Sequence, residues 1–321
     1  MEALGERPGP TLLSCVVPAF NEATALPDML RELSAHLAGL GQAFEIVMVD
    51  DGSADPTLAV ARALQHELPL TVVELSRNFG KEAALNAGLA YARGDAVVIL
   101  DADGQHPVEL LADMLNQWRS GAEQVVAVQA ERPGSSWFYR QAVRGFYRLI
   151  NRGSRFKVPA NAGDFRLLDR KVVDVLLALP ERTRFMKGLY AWAGFRTVLL
   201  PYVPRPRVAG ASQFASRSLQ LLAVDGITSF SYFPLRLVSW LGGFFALFAM
   251  GAAALFVTEY FVFGNDVPGW TTVVVLVSLL AGVQLVSLGI MGAYIARIFQ
   301  ESKQRPLYVV REVYRTPTTS R

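Results

Sequence analysis

The sequence predicts an α/β domain with a mostly parallel sheet, followed by interfacial amphipathic helices and two transmembrane helices. Short apolar segments alternate with helical patterns through the N-terminal part of the chain, which is typical of a parallel sheet covered by helices. The C-terminal part contains two long uncharged segments. Of the 321 residues, 52% are hydrophobic and 18% are charged. This composition excludes a disordered or collagen-like chain, and the single cysteine excludes a disulfide framework or a cysteine-based zinc site.

Predicted strands and predicted helices alternate along the first 130 residues. Segments rich in Val, Ile and Leu predict buried strands at Thr11–Pro18, Phe44–Val49, Leu70–Leu75, Ala96–Leu100 and Gln124–Val128. Helical spacing predicts helices at Thr24–Leu40, Pro56–His66, Lys81–Arg93 and Pro107–Arg119. A proline begins two of these helices, where its missing N–H costs no hydrogen bond. In such a sheet, ligands bind beyond the carboxyl ends of the strands.

Carboxylates collect at those strand ends. Five of them follow the first, second and fourth predicted strands: Glu22, Asp50, Asp51, Asp101 and Asp103. A turn or a helix cap explains one acidic strand end but explains three poorly, because crowded carboxylates repel one another. A divalent cation, or the hydroxyl groups of a ligand, would relieve this repulsion. Neither a GxxxxGK nor a GxGxxG loop follows the first strand, so nucleotide binding by those motifs is not expected.

Two C-terminal segments are long enough to span a bilayer as helices. Leu237–Thr258 and Thr271–Ala296 contain 22 and 26 residues without Asp, Glu, Lys or Arg, and 22 helical residues reach about 33 Å. Lys and Arg flank the pair on both outer sides but are absent from the linker between them. The positive-inside rule therefore predicts a multi-pass protein of the inner (cytoplasmic) membrane, with the large domain and both termini in the cytoplasm. The alternative, two buried core helices, would require a large partner protein.

These patterns predict four parts: a cytoplasmic domain over 1–208, an interfacial linker over 209–234, a transmembrane hairpin over 235–299 and a cytoplasmic tail over 300–321. Within the first part, arginine recurs at every fourth position of Ser135–Arg152, which is typical of a helix on an anionic membrane surface. A solvated face of an ordinary surface helix is the alternative. Ser212–Arg236 is interpreted as an interfacial helix that leads into the first span.

Taken together, the motifs resemble glycosyltransferase family 2, whose members have the Rossmann-like GT-A fold. The resemblance depends on the segments Pro18–Glu22, Asp50–Ser53, Arg77–Lys81 and Asp101–Gln105. Asp164–Arg166, Arg207–Ser212 and the two spans narrow it to the polyprenyl-phosphate glycosyltransferases, which include dolichol-phosphate mannose synthase and bacterial undecaprenyl-phosphate glucosyltransferases. It extends from about residue 12 to about residue 312. One departure is Gln213, at a position where the family usually has lysine.

The resemblance implies roles for individual residues. Mg²⁺ or Mn²⁺ would be held by Asp101, Asp103 and Gln105. The nucleotide-sugar donor would be bound by Pro18, Ala19, Phe20, Glu22, Asp50, Asp51, Lys81, Asp101, Ala102, Asp103, Arg207 and Ser212. The phosphate of the acceptor would be bound by Arg132 and Arg140.

Asp164, which begins the strand-like segment Asp164–Leu168, is the implied catalytic carboxylate together with Asp101 and Asp103. A phosphate monoester has a second pKa of about 6 and needs little deprotonation near neutral pH. We therefore expect Asp164 to organise the acceptor and the sugar more than to act as a base. The alternative role is an ion pair with Arg166 or Arg170.

The implied reaction is an inverting, metal-dependent hexosyl transfer from UDP-glucose to undecaprenyl phosphate, in the synthesis or modification of cell-envelope glycans such as lipopolysaccharide. Three alternatives remain: another donor of the GDP-mannose, UDP-aminoarabinose or UDP-GlcNAc type, a processive polysaccharide synthase, and an inactive membrane scaffold. The Gln-x-x-Arg-Trp motif of processive synthases is absent. Expected partners are the donor, the lipid acceptor and the membrane, with no nucleic acid. A homotetramer is also implied, with Pro306–Tyr314 as an extended pairing segment.

Overall fold

The computed structural model describes residues 7–129, 162–182, 184–205 and 269–316, together with helical positions at 238, 240–245, 247–248, 251, 255, 258 and 261–262. The strands are β1 Leu13–Ala19, β2 Phe44–Asp50, β3 Leu70–Leu75, β4 Ala96–Ile99, β5 Gln124–Gln129, β6 Ala162–Asp169, β7 Thr197–Tyr202 and β8 Val310–Arg315. The helices are α1 Leu26–Gly39, α2 Thr57–Leu64, α3 Lys81–Tyr91, α4 Leu110–Arg119, α5 Arg170–Ala178, α6 Met186–Trp192 and α7 Trp270–Ser302. The predicted strands and helices of the first 129 residues are all present, with ends that differ by a few residues.

The described strands form one sheet in the order β7-β5-β6-β4-β1-β2-β3-β8. β1 pairs in parallel with β2 and β4, β2 pairs in parallel with β3, and β5 pairs in parallel with β7. β6 runs antiparallel to β4 and β5, and β8 runs antiparallel to β3. The prediction of a mostly parallel sheet is therefore confirmed.

The sheet is buried on both faces, as β1 illustrates. All seven residues of β1 are buried. Leu13, Cys15 and Val17 belong to the core under α1, α2 and α4. Val16 belongs to the opposite core, under α3, α5 and α6. Neighbouring residues of a strand point to opposite faces, so a run of apolar residues without alternation is what a doubly covered sheet requires.

Helix α3 approaches the sheet most closely at Gly88. A Cβ at this position would lie 2.3 Å from Cγ1 of Val16 and 3.2 Å from Cγ2 of Val49. Val16 is fully buried and β-branched, so it has little freedom to move aside. We expect Gly88→Ala to lower the free energy of unfolding by about 1–3 kcal/mol. Thermal unfolding of the purified protein in detergent measures this effect.

Gly39→Ala, at the end of α1, is the matched control. A Cβ there meets no atom within 4 Å, and Gly39 is exposed. Replacing glycine by alanine at an unstrained helical position stabilises by about 0.4–1 kcal/mol. Equal effects of the two substitutions would contradict the close contact between α3 and β1.

After α7 the chain returns to the sheet. β8 adds an antiparallel strand beside β3, with Val73 opposite Val313. Glu74 of β3 accepts hydrogen bonds from Arg311 Nη1 (2.8 Å) and from the hydroxyl of Tyr314 (3.0 Å). Residues 310–314 of the predicted pairing segment Pro306–Tyr314 therefore belong to a strand that pairs with the sheet of its own chain.

Helix α7 has the length and the hydropathy of a membrane span. It contains 33 residues, and its segment Leu279–Ser302 has a mean hydropathy of 1.8. Large apolar side chains such as Leu285 (69% exposed) and Ile298 (67% exposed) are not covered by the rest of the described chain. Among the described residues α7 is the one helix that meets both criteria, so two transmembrane helices are not confirmed.

Two predicted amphipathic segments, Ser135–Arg152 and Ser212–Arg236, lie outside the described residues. The predicted first span, Leu237–Thr258, is described at 12 of its 22 positions, and each of these is helical. The multi-pass topology and the orientation of the termini remain predictions.

Candidate active site

Two carboxylates meet at one end of the sheet because of strand register. β6 runs antiparallel to β4, with Arg166 opposite Ile99. Two residues beyond Ile99 lies Asp101, and two residues before Arg166 lies Asp164. In an antiparallel pair these two positions share the same end of the sheet. The structure therefore brings together Asp101 and Asp164, which the sequence analysis selected separately.

Lys81 joins these two carboxylates. Its Nζ lies 2.6 Å from Oδ1 of Asp101 and 2.8 Å from Oδ2 of Asp164. Both distances are those of charge-assisted hydrogen bonds. The side chain of Lys81 is 37% exposed, whereas that of Asp164 is 13% exposed. The lysine thus lies between a buried carboxylate and the open edge of the sheet.

The ion pairs fix the charge of the cluster. Burial alone would lower the pKa of Lys81, but the charges of Asp101 and Asp164 raise it well above its ordinary value. Burial alone would raise the pKa of Asp164, but Lys81 and Lys187 hold it well below its usual range. Asp164 is therefore ionised throughout the neutral range, and as such a weak proton acceptor it is a poor general base.

Asp164 takes Lys81 as its ion-pair partner, whereas Arg170 pairs with Asp174 at 3.6 Å. Arg166 donates to the carbonyl oxygen of Gly163 at 2.6 Å. Within the described part of the chain, the second oxygen of Asp164, Oδ1, is buried and has no hydrogen-bond partner. A buried carboxylate oxygen is normally satisfied by a donor, so a bound hydroxyl group or water fits this position.

A turn after β4 carries the other candidate metal ligands. Oδ1 of Asp103 accepts a hydrogen bond from the N–H of Gln105 (3.1 Å), and Gly104 has a φ of 70°. The N–H of Asp101 donates to Nδ1 of His106 (3.1 Å). The His106 ring stacks on Phe165 at 4.7 Å between centroids. Burial lowers the pKa of His106, which favours the neutral ring that this acceptor bond needs.

Asp51 fixes the loop that carries Lys81. Its two carboxylate oxygens accept hydrogen bonds from the N–H groups of Phe79 (2.7 Å) and Gly80 (2.9 Å). The next residue, Gly52, has a φ of 66°, and a Cβ there would lie 2.4 Å from the carbonyl carbon of Arg77. The end of β2 and the start of α3 are therefore locked together. A direct contact of Asp51 with the donor remains a prediction.

Asp51→Asn is expected to lower the free energy of unfolding by about 1–3 kcal/mol, because an amide can accept only one of the two N–H groups and leaves the other without a partner. Thermal unfolding in detergent measures the loss. Asp113→Asn, at an exposed position of α4, is the control and should leave the unfolding temperature unchanged. An unchanged unfolding temperature for Asp51→Asn would show that its two hydrogen bonds do not fix the loop.

The predicted donor residues of β1 and β2 are neighbours. Pro18 lies opposite Val49 and Ala19 lies opposite Asp50 in the parallel pair. Asp50 is buried, and its Oδ2 accepts from the N–H of Ser53 at 3.3 Å. Burial raises the pKa of Asp50. These residues and the partly exposed Phe20 and Glu22, which follow β1, share one edge of the sheet with Ala102, which is buried after β4.

Asn21 joins the loops that follow β1 and β2, and sequence reasoning missed it. Its Oδ1 accepts from the N–H of Ala54 (2.8 Å), and its own N–H donates to Oγ of Ser53 (3.0 Å). Asn21 has a φ of 55°, a conformation that asparagine tolerates better than most residues. The tolerance of asparagine for this conformation was the sequence signal that could have identified Asn21 as a loop-fixing residue. His106 gave no comparable signal in the sequence.

Arg205 connects the end of β7 to the Asp101–His106 turn. Its N–H donates to the carbonyl oxygen of Gln105 (3.0 Å). Its guanidinium pairs with Glu32 of α1 (2.6 Å) and with Glu109. The chain therefore passes beside the turn shortly before Arg207. The predicted residues Arg207, Ser212, Arg132 and Arg140 lie outside the described residues.

The donor atoms fit a hard divalent cation only in part. Asp101 and Asp103 supply carboxylate oxygens, which suit Mg²⁺ or Mn²⁺. One oxygen of Asp101 is bound by Lys81. The described residues contain no group of three or more His, Cys, Asp or Glu side chains placed to hold a metal. A cation held by Asp101 and Asp103 would therefore need further oxygen ligands from another source.

Comparison with known proteins gives a consistent result. Residues 14–177 match the family described as Glycosyl transferase family 2. The bactoprenol glucosyl transferase of Shigella phage SfV is 42% identical over 300 residues, covering 93% of this chain and 98% of that protein. The prophage bactoprenol glucosyl transferase homolog of Escherichia coli K12 is 39% identical over 302 residues, covering 94% and 99%.

Among solved structures, the chain is similar to the mannosyltransferase PcManGT from Pyrobaculum calidifontis in complex with GDP-Man and Mn²⁺. The identity is 18% and the TM-score is 0.44, with coverage of 92% of this chain and 87% of that one.

Proposed function

Because the chain belongs to glycosyltransferase family 2, we propose that it transfers glucose from UDP-glucose to a polyprenyl phosphate such as undecaprenyl phosphate. The observation that carries this proposal is the similarity to bactoprenol glucosyl transferases, at about 40% identity over more than nine-tenths of both chains. A likeness of that extent includes the membrane part as well as the sheet domain. The names of these relatives specify the sugar and the lipid but not the nucleotide, so UDP-glucose as the donor is a more specific proposal than the reaction class.

The geometry supports a direct displacement. An oxygen of the acceptor phosphate attacks the anomeric carbon of the sugar, the bond from that carbon to the diphosphate breaks, and the nucleoside diphosphate leaves with the electron pair. The anomeric configuration inverts. The attacking oxygen carries no proton at neutral pH, so the reaction needs no base. This matches Asp164, which Lys81 keeps ionised and which we assign to positioning the acceptor and the sugar.

Asp101 and Asp103, with Gln105, are the residues proposed to hold Mg²⁺ or Mn²⁺, which when bound would neutralise the charge of the departing diphosphate. The residues proposed to form the nucleoside side of the donor site are Pro18, Ala19, Phe20, Glu22, Asp50 and Asp51. Arg207 and Ser212 are proposed for the diphosphate, and Arg132 and Arg140 for the acceptor phosphate.

Contacts between α7 and the sheet domain support a site at the membrane surface. Both carboxylate oxygens of Glu301, at the end of α7, accept from the N–H of Arg182 (3.0 and 2.8 Å). The segment that follows Arg182 leads into α6, where the N–H of Met186 donates to Glu82 at 3.3 Å. Glu82 is the sequence neighbour of Lys81. A short series of contacts therefore connects the end of the apolar helix with the cluster around Asp164.

The test is transfer of radiolabel from a panel of nucleotide sugars to undecaprenyl phosphate, with the full chain in detergent and with Mn²⁺, Mg²⁺ or EDTA. We expect label in the lipid fraction from UDP-glucose, and its loss with EDTA. Label from a different donor would replace glucose by that sugar. A polymeric product would indicate a processive synthase, and donor binding without transfer would favour the scaffold alternative.

The homotetramer is a separate proposal. Because β8 already pairs with β3 of its own chain, the tail is not needed as a free pairing segment in this arrangement. Cross-linking in native membranes measures the oligomeric state, and a monomer as the sole product would contradict the proposal.

A further inference from the structure

Lys81 contacts a candidate metal ligand and a candidate catalytic residue at the same time. It binds Oδ1 of Asp101 at 2.6 Å and Oδ2 of Asp164 at 2.8 Å. At these distances the ammonium group satisfies one oxygen of each carboxylate. While Lys81 binds Oδ1 of Asp101, the charge of that carboxylate is already compensated and one of its two oxygens is engaged, so it attracts a divalent cation less strongly. The protein without ligand therefore already contains a positive charge beside a carboxylate that is proposed to bind the cation.

The backbone of Lys81 is held by the loop before it, whereas its side chain is held through the ion pairs of its charged end. Lys81 begins α3, directly after the loop whose N–H groups at Phe79 and Gly80 are bound by Asp51. The close approach of Gly52 to Arg77 prevents this loop from sliding. The lysine side chain has a flexible four-carbon stem and is 37% exposed. Only its charged end needs to move for Asp101 to be released.

The balance of charge explains why the ammonium group is needed. Asp101, Asp103 and Asp164 lie around one end of the sheet, and Glu82 lies next to Lys81 in the sequence. Removing the single charge of Lys81 would leave Asp101 and Asp164 close together without compensation, and like charges in such a site repel. In the described part of the chain these carboxylates do not form a ready three-ligand site. Further oxygen ligands and a second source of positive charge must arrive together.

We propose that Lys81 is an internal counter-cation that withholds Asp101 from the divalent cation until the donor diphosphate enters, and then turns from Asp101 to the diphosphate. This inference rests on the proposed function. It assigns Lys81 a positioning role that differs from simple phosphate binding. In the absence of the diphosphate, Lys81 competes with the metal for the same carboxylate. When the diphosphate is present, its negative charge gives Lys81 an alternative partner and the competition ends.

The experiment measures Mn²⁺ binding by electron paramagnetic resonance, with the full chain in detergent, in the absence and in the presence of UDP. For the wild-type protein we expect UDP to tighten Mn²⁺ binding at least tenfold. For Lys81→Met, which removes the charge and preserves the length, we expect Mn²⁺ binding without UDP to be at least tenfold tighter than in the wild type. The tightening caused by UDP should correspondingly shrink. Lys81→Arg, which keeps the charge, should behave like the wild type.

Lys187→Met is the matched control. Lys187 adds positive charge near Asp164, but no ion pair joins it to Asp101 among the described residues. Its removal should therefore leave Mn²⁺ binding without UDP within about threefold of the wild type. An equal gain in Mn²⁺ affinity for both variants would show that general charge, not competition at Asp101, sets the affinity, and would overturn the inference.

Three further outcomes are decisive, and the two that concern the wild-type protein do not depend on how Lys81→Met folds. Tight Mn²⁺ binding by the wild-type protein without UDP would overturn the inference directly. Unchanged or weaker Mn²⁺ binding in a folded Lys81→Met protein would also overturn it, while sugar transfer by the wild type would leave the proposed function intact. If the wild type binds UDP but binds no Mn²⁺ with or without it, the metal-dependent part of the proposed function fails, and the inference fails with it.

Discussion

Replacing Asp103 by alanine is expected to lower the rate of sugar transfer by about a thousandfold or more. A thousandfold loss corresponds to roughly 4 kcal/mol of transition-state stabilisation. A metal Lewis acid contributes several kcal/mol by neutralising developing charge. Asp103 lies on the turn after β4, held by the N–H of Gln105. Asp101 and Asp103 are the two carboxylates proposed to hold the cation, and truncation of Asp103 removes one of them.

The measurement is kcat with UDP-glucose and undecaprenyl phosphate at saturating Mn²⁺. Asp113→Ala is the control, because Asp113 is an exposed carboxylate on α4, away from the turn. It should retain at least half of the wild-type rate. Normal transfer by Asp103→Ala would show that the turn after β4 does not hold the metal, and the assignment of Asp101, Asp103 and Gln105 would have to be abandoned.

Most strands and helices of the sheet domain could be predicted from the sequence, because the patterns that indicate them lie within single short segments. Runs such as Cys15–Val17 and Ile46–Val49 are buried on both faces and need no alternation, so they predict interior strands directly. Helices α2 and α4 begin close to the prolines that predicted them. The acidic strand ends followed from the topology, since parallel strands share a carboxyl edge.

The side-chain contacts inside the candidate site could not be predicted from the sequence in this way. The ion pairs of Lys81 depend on the register of β6 against β4, which pairs residues distant in sequence. No local pattern specifies that register. The hydrogen bond from the N–H of Asp101 to His106 was likewise not predictable from a local pattern, because the His106 ring is positioned by stacking on Phe165, which is distant in sequence. The sequence therefore identified the charged residues, but their partners had to come from the structure.

The role of Asp51 illustrates the same difference. As an acidic residue at a strand end it was grouped with Asp50 as a donor-binding residue. In the structure its oxygens bind the N–H groups of Phe79 and Gly80, whereas Asp50 binds the N–H of Ser53 in its own loop. The aspartate pair therefore fixes two different loops. Sequence alone does not separate a carboxylate that binds backbone from one that is available to a ligand.

Asp164→Asn is expected to lower kcat at least a hundredfold without changing the shape of the dependence of rate on pH. The substitution keeps the size of the side chain and removes the charge that pairs with Lys81 at 2.8 Å. Of the two carboxylates that Lys81 contacts, Asp101 alone then remains, and we expect the proposed acceptor position and the proposed metal site both to be disturbed. The loss of a buried, hydrogen-bonded charge from an active site accounts for a change of this size.

The pH dependence separates positioning from base catalysis. Lys81 and Lys187, against the opposing effect of burial, keep the pKa of Asp164 well below its usual range, so its ionisation is complete far below pH 6 and contributes no change in rate above it. A rise in rate between pH 6 and 7 is then assigned to the second ionisation of the acceptor phosphate, at about 6, and to Glu82, whose pKa burial and the charge of Asp164 raise to about 7. That rise should remain in Asp164→Asn, at a lower plateau. Asp174→Asn, at an exposed position of α5, should match the wild type in both rate and profile.

A different profile would assign Asp164 another role. If it accepted a proton in the transition state, its removal would leave hydroxide as the base, and the rate of Asp164→Asn would rise about tenfold per pH unit up to pH 9. The structure argues for a profile whose shape the substitution leaves unchanged, because an aspartate held ionised by two lysines has little affinity for a proton. What it retains is a buried oxygen, Oδ1, without a partner among the described residues. If an acceptor or sugar hydroxyl binds there, the asparagine variant keeps part of that interaction, because the amide oxygen still accepts a hydrogen bond. We therefore expect the main loss to appear in kcat and not in the affinity for the donor.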